Sequence, residues 1–470
     1  MNTYATMLAA HARRQPTKLA LVAGSTRLTY AELDDRVARV ATRLGRAGVR
    51  PDDVVSSQLA NCAEALVLAL AVNRLGAVHN PITTIAGPRE IEFVLGQAAS
   101  RVFVDTPDHE LLRVDEGDDP APVAAPAPRD VPRFLVYTSG STAEPKGALH
   151  SDTTLLVECA AQSTYHGFRD DEVFVMPSPV AHVSGLIYGI LLPVYLGATS
   201  VLLARWDPTE FLTAIERERG TFSGGATPFL QGAVDHPDLD RFDLSSFRLF
   251  PCGGADVPPD LIRRAQSRLG VRTGRGYGST EFPSITSSSG PGEPDERRAE
   301  TDGRPIGENR IRIVDGEVEA IGPEMFLGYL DSTLDADTFT ADGWLRTGDL
   351  GSIDADGYLT IIGRAKDVVI RHGEKIPAKE VETVLAQHPS VDEVAVVALP
   401  DPRTGERACA CIVVARDAPI PTLAEVAEFC TARGLAKRRL PEQIEIVDAL
   451  PRTPGGKVDK RALAAGRRLA

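Results

Sequence analysis

The chain is short of several things that would have named its class at once. Its first residues, Met1-Asn-Thr-Tyr-Ala-Thr6, run into His11, Arg13 and Arg14 without a long apolar region or a small-residue cleavage site. No export is expected, and a cytoplasmic location is. Cysteine is sparse and scattered: Cys62, Cys159, Cys252, Cys409, Cys411 and Cys430 show no paired zinc spacing, and Cys409-x-Cys411 alternates as buried strand residues do. Reduced, structural cysteines are expected. Positive charge is also lacking, because the net charge of −14 repels a polyphosphate backbone and makes nucleic acid a poor general partner. An unbroken membrane span is missing as well. Val183 to Ala204 carries no charge and is long enough to cross a bilayer. However, Gly185, Gly189, Pro193 and Gly197 divide it into a short apolar helix, a turn and the β-rich piece Thr199-Ser-Val-Leu-Leu-Ala204.

What remains is an ordinary globular composition over 470 residues, 43% hydrophobic and 25% charged, which excludes disorder and disulfide-stapled mini-proteins. At about 100 to 200 residues per domain, two to four domains are expected. Leu33, Val37, Val40 and Leu44 form one apolar helix face that begins after Leu28-Thr-Tyr-Ala-Glu32 and closes at Gly45. A helix follows over Ala63 to Leu75, with strands near Arg101 to Val104 and Arg133 to Tyr137. Strand and helix alternate, as in α/β folds. Between Asp105 and Asp130 the sequence turns to Asp, Glu, Pro and Ala, an exposed connection. After Gly363 it predicts helix Ala378 to Gln387, strands Val391 to Leu399 and Ala408 to Val414, helix Thr422 to Ala432 and strand Ile444 to Val447. That is a separate α+β domain of about 100 residues. The expected organisation is a large, multi-subdomain α/β domain over 1–364 and a small α+β domain over 365–470, joined at Gly363-Arg-Ala-Lys-Asp367. From Arg433 onward ten basic residues face four acids, which fits either a phosphorylated ligand or a solvated basic end.

Tyr137-Thr-Ser-Gly-Ser-Thr-Ala-Glu-Pro-Lys-Gly147 follows an apolar strand and packs hydroxyls and glycines into one loop. Such a loop can offer backbone N–H groups and hydroxyls to phosphate oxygens. It is not the common P-loop, because Lys146 precedes Gly rather than Ser or Thr. Taken alone, its composition favours a polar surface loop. Further along come Pro251-Cys-Gly-Gly-Ala-Asp256, Gly276-Tyr-Gly-Ser-Thr-Glu281, Arg346-Thr-Gly-Asp349, Gly363-Arg-Ala-Lys-Asp367 and Thr453-Pro-Gly-Gly-Lys457. This ordered set, covering nearly the whole chain, resembles the adenylate-forming superfamily of acyl-CoA synthetases, aryl-CoA ligases, luciferases and peptide-synthetase adenylation domains. The phosphate loop departs from the family pattern, with Ser141-Thr142-Ala143 where Thr-Thr-Gly is usual. Alanine does not take up a positive φ as glycine does, so pyrophosphate affinity or loop conformation is expected to differ.

The resemblance implies ATP as substrate and Mg²⁺ as cofactor. An acid oxygen attacks the α-phosphorus, pyrophosphate leaves in line, and negative charge is neutralised throughout. It places Thr138, Ser139, Gly140, Ser141, Thr142 and Lys146 on the phosphates. Tyr277 would lie on adenine beside Gly253, Gly254 and Ala255, within the Gly276-Tyr277-Gly278-Ser279 turn. Thr280 would bond the α-phosphate, and Glu281 would hold the metal, a hard cation suited to carboxylate and phosphate oxygens. Asp349 would take the ribose hydroxyls, with Arg364 in support. Lys457, by itself a solvent residue on a turn, becomes the catalytic cation for the attacking carboxylate and the α-phosphate. Lys366 matches the hinge about which the mobile small domain turns to present the Arg371-His-Gly373 region for attack by a thiol.

His182, in Pro177-Ser-Pro-Val-Ala-His-Val-Ser-Gly185, matches a position beside the acid pocket, and Thr227 is assigned to the same pocket; alone, His182 reads as a structural histidine. No Asp or Glu occurs between Val173 and Arg205, where amino-acid-activating relatives carry the partner of the substrate amine. An α-amino acid is therefore disfavoured. A small alicyclic, aryl or short aliphatic carboxylate fits, with CoA as the acceptor the resemblance implies. Three alternatives stay open: transfer to another amine or carrier thiol, adenylation of nitrite to diazotise an aromatic amine, and a non-catalytic nucleotide-sensing protein. The last is disfavoured by the retention of Glu281, Asp349, Arg364 and Lys457.

Overall fold

The computed structural model describes residues 3–114, 119–120, 122, 130–138, 144–371, 374–452 and 458–465. Within it the chain divides into two compact units, 1–311 with 320–344, and 312–319 with 345–470.

The first unit is built on two sheets. One has six strands in the order Gly328–Tyr329, Lys146–Ser151, Pro132–Thr138, Val78–Pro81, Val54–Ser57 and Val102–Val104. Its last four strands run parallel and its first two pair antiparallel. The second sheet starts with Thr26–Thr29, Leu19–Ala23, Thr199–Leu202 and Val173–Met176. It continues through single bridges at Phe222 to Leu249–Gly253, Arg272–Tyr277, Thr286–Ser287 and Arg304–Pro305. One hydrophobic cluster joins the two sheets, with Val55, Phe134 and Val136 from the first and Leu21, Phe174 and Leu202 from the second. The helix Ala63–Arg74 is buried on every side inside this cluster, which is why its sequence is apolar without a polar face. This is the mixed α/β architecture expected for the large domain.

Local signals account for most of these elements. The helix Tyr30–Arg46 is opened by a reciprocal Thr29–Glu32 capping box, a cap worth about 1 kcal/mol. It passes through Gly45 to Arg46, one residue beyond the stop expected there. The uncharged run from Val183 departs further from expectation. Gly185, Gly189 and Pro193 do not break it, because a π-helical turn over Ile187–Leu191 carries the helix on to Leu196. Only Gly197, with φ +77°, ends it before the strand Thr199–Leu202. Among the described residues no helix is long and apolar enough to cross a membrane. None of the six cysteines forms a disulfide, and five are buried.

The second unit holds the strands Leu345–Ile353 and Leu359–Arg364, paired antiparallel in a sheet that also takes in Glu317–Ile321. It also holds a five-stranded sheet, in which Gly405–Val414 lies between Val391–Asp401 and Val368–Arg371 and also pairs with Gln443–Ile446. Helices Ala378–Leu385 and Leu423–Ala432 supply Val381, Leu385, Val426 and Cys430 to its core. The expected elements are present with ends moved by one to three residues. The hairpin Val368–Arg371/Glu374–Pro377 was not anticipated, because its strands are only four residues long.

Candidate active site

Two parallel strands set up the centre of the site. Leu249–Gly253 and Arg272–Tyr277 are in register with Gly253 opposite Gly276. The backbones approach so closely that a Cβ on Gly253 would lie 2.2 Å from the Gly276 carbonyl oxygen. Gly254 follows at φ +77°, so the chain turns off the strand end where only glycine is unstrained. Gly254 and Ala255 are exposed, and Tyr277 is half-buried at the end of its strand. Thr227, first residue of the helix Thr227–Val234, donates its hydroxyl to the Asp256 carbonyl at 2.5 Å and fixes that turn.

Past Tyr277 the chain folds into a tight loop that carries Thr280 and Glu281. Ser279 N–H bonds the Phe282 carbonyl and Ile285 N–H bonds the Tyr277 carbonyl, each at 2.9 Å. A Cβ on Gly278 would sit 2.1 Å from the Pro283 carbonyl oxygen, so glycine is required there too. Residues that sequence reasoning passed over pin this loop. His150 is fully buried and its Nε2 donates to the Thr280 carbonyl at 2.8 Å. Burial pushes the His150 pKa down to about 4, so the ring is neutral. Phe326 N–H holds the Glu281 carbonyl at 2.8 Å, and the Tyr329 hydroxyl donates to Glu281 Oε1 at 2.6 Å. Lys146 Nζ lies 5.3 Å from the centroid of the same Tyr329 ring. Tyr329 therefore joins the strand that follows the phosphate loop to the Glu281 carboxylate. Lys146 is paired in register with Thr138 across the hairpin that flanks this loop. Ser139, Gly140, Ser141, Thr142 and Ala143 lie outside the described residues.

Mg²⁺ can be tested against this donor set. Among the described residues no three His, Cys, Asp or Glu side chains come together as a metal cluster. The protein would contribute the single carboxylate of Glu281, already oriented by Tyr329. One carboxylate plus phosphate oxygens and water is the usual way Mg²⁺ is held in nucleotide sites, so the residues fit the ion.

His182 is exposed and ends the Pro177-Ser-Pro-Val-Ala181 turn as the cap of Val183–Leu186, its Nδ1 within 2.9 Å of the Ser184 hydroxyl. A buried asparagine that the sequence reading missed sets the turn. Asn61 donates to the carbonyls of Met176 and Ser178 and accepts from Val180 N–H.

In the second unit, Asp349 stands opposite Arg364 on neighbouring strands, with Arg364 Nε 2.8 Å from its carboxylate. Asp349 is buried and the guanidinium half-exposed. Gly348, at φ +70°, and its N–H bond to Glu317 shape the turn before Asp349. Lys366 is exposed on the short turn Ala365–Asp367 directly after that strand, with its pKa lowered by partial desolvation and then by Arg364. Several basic residues near the C-terminal end are already paired: Arg439 with Glu380, Arg452 with Glu393 at 2.6 Å, and Lys460 with Glu382 at 2.7 Å. Those three therefore serve the small unit's own structure. His372, Gly373 and Lys457 lie outside the described residues.

The glycine turns and held Glu281 carboxylate of the first unit and the Asp349–Arg364 pair of the second are the features expected of one class, an AMP-forming acid ligase. The comparisons agree: the chain belongs to the AMP-binding enzyme family, which matches residues 8–330, and the family's C-terminal domain matches residues 380–457. It is 35% identical to a feruloyl-CoA synthase of Amycolatopsis sp, over 96% of each chain. It is 31% identical to a medium-chain fatty-acid–CoA ligase of Escherichia coli, over 96% of this chain and 88% of that one. The ATP-bound crystal structure of MatB from Rhodopseudomonas palustris superposes with a TM-score of 0.91 at 28% identity, covering 100% of this chain and 99% of that one.

Proposed function

We propose that this enzyme activates a small alicyclic, aryl or short aliphatic carboxylic acid as its acyl-AMP and then transfers the acyl group to CoA. The observation that carries the reading is the Tyr277–Ile285 loop, which holds a hydroxyl at Thr280 and an oriented carboxylate at Glu281 beside the Gly253–Gly254 turn.

In this reading the Gly253–Ala255 backbone and Tyr277 receive adenine, and Asp349, steadied by Arg364, accepts from the ribose hydroxyls. Thr138 to Thr142 and Lys146 hold the phosphates. Glu281 would hold Mg²⁺, which neutralises charge on the triphosphate. Thr280 bonds the α-phosphate, and Lys457 supplies a cation as charge passes from the attacking carboxylate to the departing pyrophosphate. Lys366 then serves as the hinge for the thioester step.

The two relatives bear on the acid in opposite ways, since one is named for a hydroxycinnamic acid and the other for medium-chain fatty acids. What supports an acid without an α-amine is the helical run Val183–Leu196, which brings no Asp or Glu. The test is product analysis with ATP, Mg²⁺ and a panel of carboxylates or nitrite, with CoA or an aryl amine. A carboxylate-dependent thioester supports the reading; a diazonium product made only with nitrite and an amine overturns it.

A further inference from the structure

Beneath the Thr280-Glu281 loop lie two carboxyl groups that the chemistry above does not use. Glu158, on the helix Asp152–His166, is fully buried, and so is Glu324. Each commits one oxygen to a neighbour: Ser284 Oγ donates to Glu158 Oε1 at 2.6 Å, and Asn309 Nδ2 donates to Glu324 Oε2 at 3.0 Å. The other oxygens, Glu158 Oε2 and Glu324 Oε1, have no further donor. Two carboxylates cannot share a dry interior with both charges intact, so Glu324, whose side chain hydrogen-bonds that of Glu158, holds a proton. The same cluster reaches the active loop twice, through the Ser284 hydroxyl and through Asn309 Nδ2, which also bonds the Ser284 carbonyl at 3.0 Å. Ser284 stands three residues after Glu281.

We propose that Glu324 is a positioning residue for adenylation: as a carboxylic acid donating to the Glu158 carboxylate, it fixes Ser284 and so holds the Thr280-Glu281 loop in its working geometry. The inference rests on the reading of Glu281 as part of the site. Burial, followed by the neighbouring Glu158 charge, raises the Glu324 pKa to about 10, and burial raises that of Glu158. The ionisable groups that face the pair are Tyr4, Cys159 and Tyr188, whose own pKa values burial also pushes up. All three stay neutral, and Glu324 keeps its proton through the physiological range.

Two substitutions separate positioning from bulk stability. E324Q keeps the shape, supplies a permanent N–H to Glu158 and still accepts from Asn309. E324L leaves Glu158 Oε2 without a donor, while Ser284 still donates to Oε1. The readouts are ATP–pyrophosphate exchange and deuterium uptake by the backbone across residues 277–286. E324L is expected to lower kcat at least about tenfold with the KM for ATP within about threefold, and to raise deuterium uptake in that segment. E324Q is expected to restore both, and to lose less rate than the wild type as pH rises towards about 10. A folded E324L with wild-type kcat and uptake overturns the proposal, as does an E324Q no better than E324L. If E324L does not fold, S284A decides: it cuts the side-chain tether, through which the proposal acts, and keeps the Asn309 bond to the backbone carbonyl, and unchanged kcat and uptake in S284A overturn the proposal. Deuterium uptake needs no turnover, so absence of exchange in the wild type would count against the proposed function and leave this test standing.

Discussion

The Thr280-Glu281 loop and the Asp349–Arg364 strand pair carry two parts of one candidate chemistry, and they are held in opposite ways. The loop is tied by buried partners from distant parts of the first unit: His150, Phe326, Tyr329 and Ser284 with its acid pair. The strand pair relies on a ladder and one ion pair whose guanidinium is half in solvent, a contact worth about 0.2 to 1 kcal/mol to stability. A preorganised charge pocket must keep its donors fixed as charge develops, and that demands over-determined packing. A segment next to the proposed hinge would need the reverse, since a tie across that hinge would have to break for the small domain to turn.

Four substitutions sharpen or break this contrast. The largest effect is expected from Lys457→Ala, which should cost about 3 to 4 kcal/mol of adenylation barrier, roughly 10²- to 10³-fold in exchange rate. An exchange rate barely slowed would remove Lys457 from the mechanism. Next comes Tyr329→Phe, which deletes one hydrogen bond to a carboxylate, worth about 1.5 to 3 kcal/mol, and should slow exchange about 10- to 100-fold. Little change in steady-state rate would mean that Glu281 needs no such orientation. Lys366→Pro should slow thioester formation about tenfold while sparing pyrophosphate exchange and melting temperature, because proline fixes φ at the turn. Equal loss in both half-reactions would refute the hinge. The last substitution concerns stability rather than rate.

His150 and His79 both have pKa values lowered to about 4 by burial. The unfolded chain takes up protons below about pH 6.5 while the native rings stay neutral, so the stability these sites contribute is whole above that pH. It is lost as pH falls towards 4, by up to about 1.4 kcal/mol per unit for each ring. His150→Gln, measured by urea midpoints at about pH 7 and 5, should show a shallower acid loss by about 2 kcal/mol. An unchanged slope would contradict a neutral buried ring.

The same contrast explains what could be read in advance. Gly253, Gly278 and the Thr29–Glu32 cap answer to local backbone geometry, so motif and spacing expose them directly. The small domain's helices and long strands follow their apolar periods, and the short hairpin after Val368 has too few residues to show one. His150 meets Thr280 from 130 residues away, and Glu158 meets Ser284 from 126. Nothing in the sequence around either residue announces the contact. Tyr329 offered one signal, an aromatic directly after the Leu327-Gly328 step, and only the tertiary contact gives it meaning. Sequence thus exposed the groups assigned to substrate and left hidden those that aim them.

The central claim, an AMP-forming reaction at the Thr280-Glu281 loop, is tested most directly by ATP–pyrophosphate exchange in the presence of Mg²⁺ and a panel of small carboxylic acids without CoA. The account predicts acid-dependent exchange with acyl-AMP as the detectable product. ATP cleaved to ADP and phosphate, or no exchange with any acid, would contradict it.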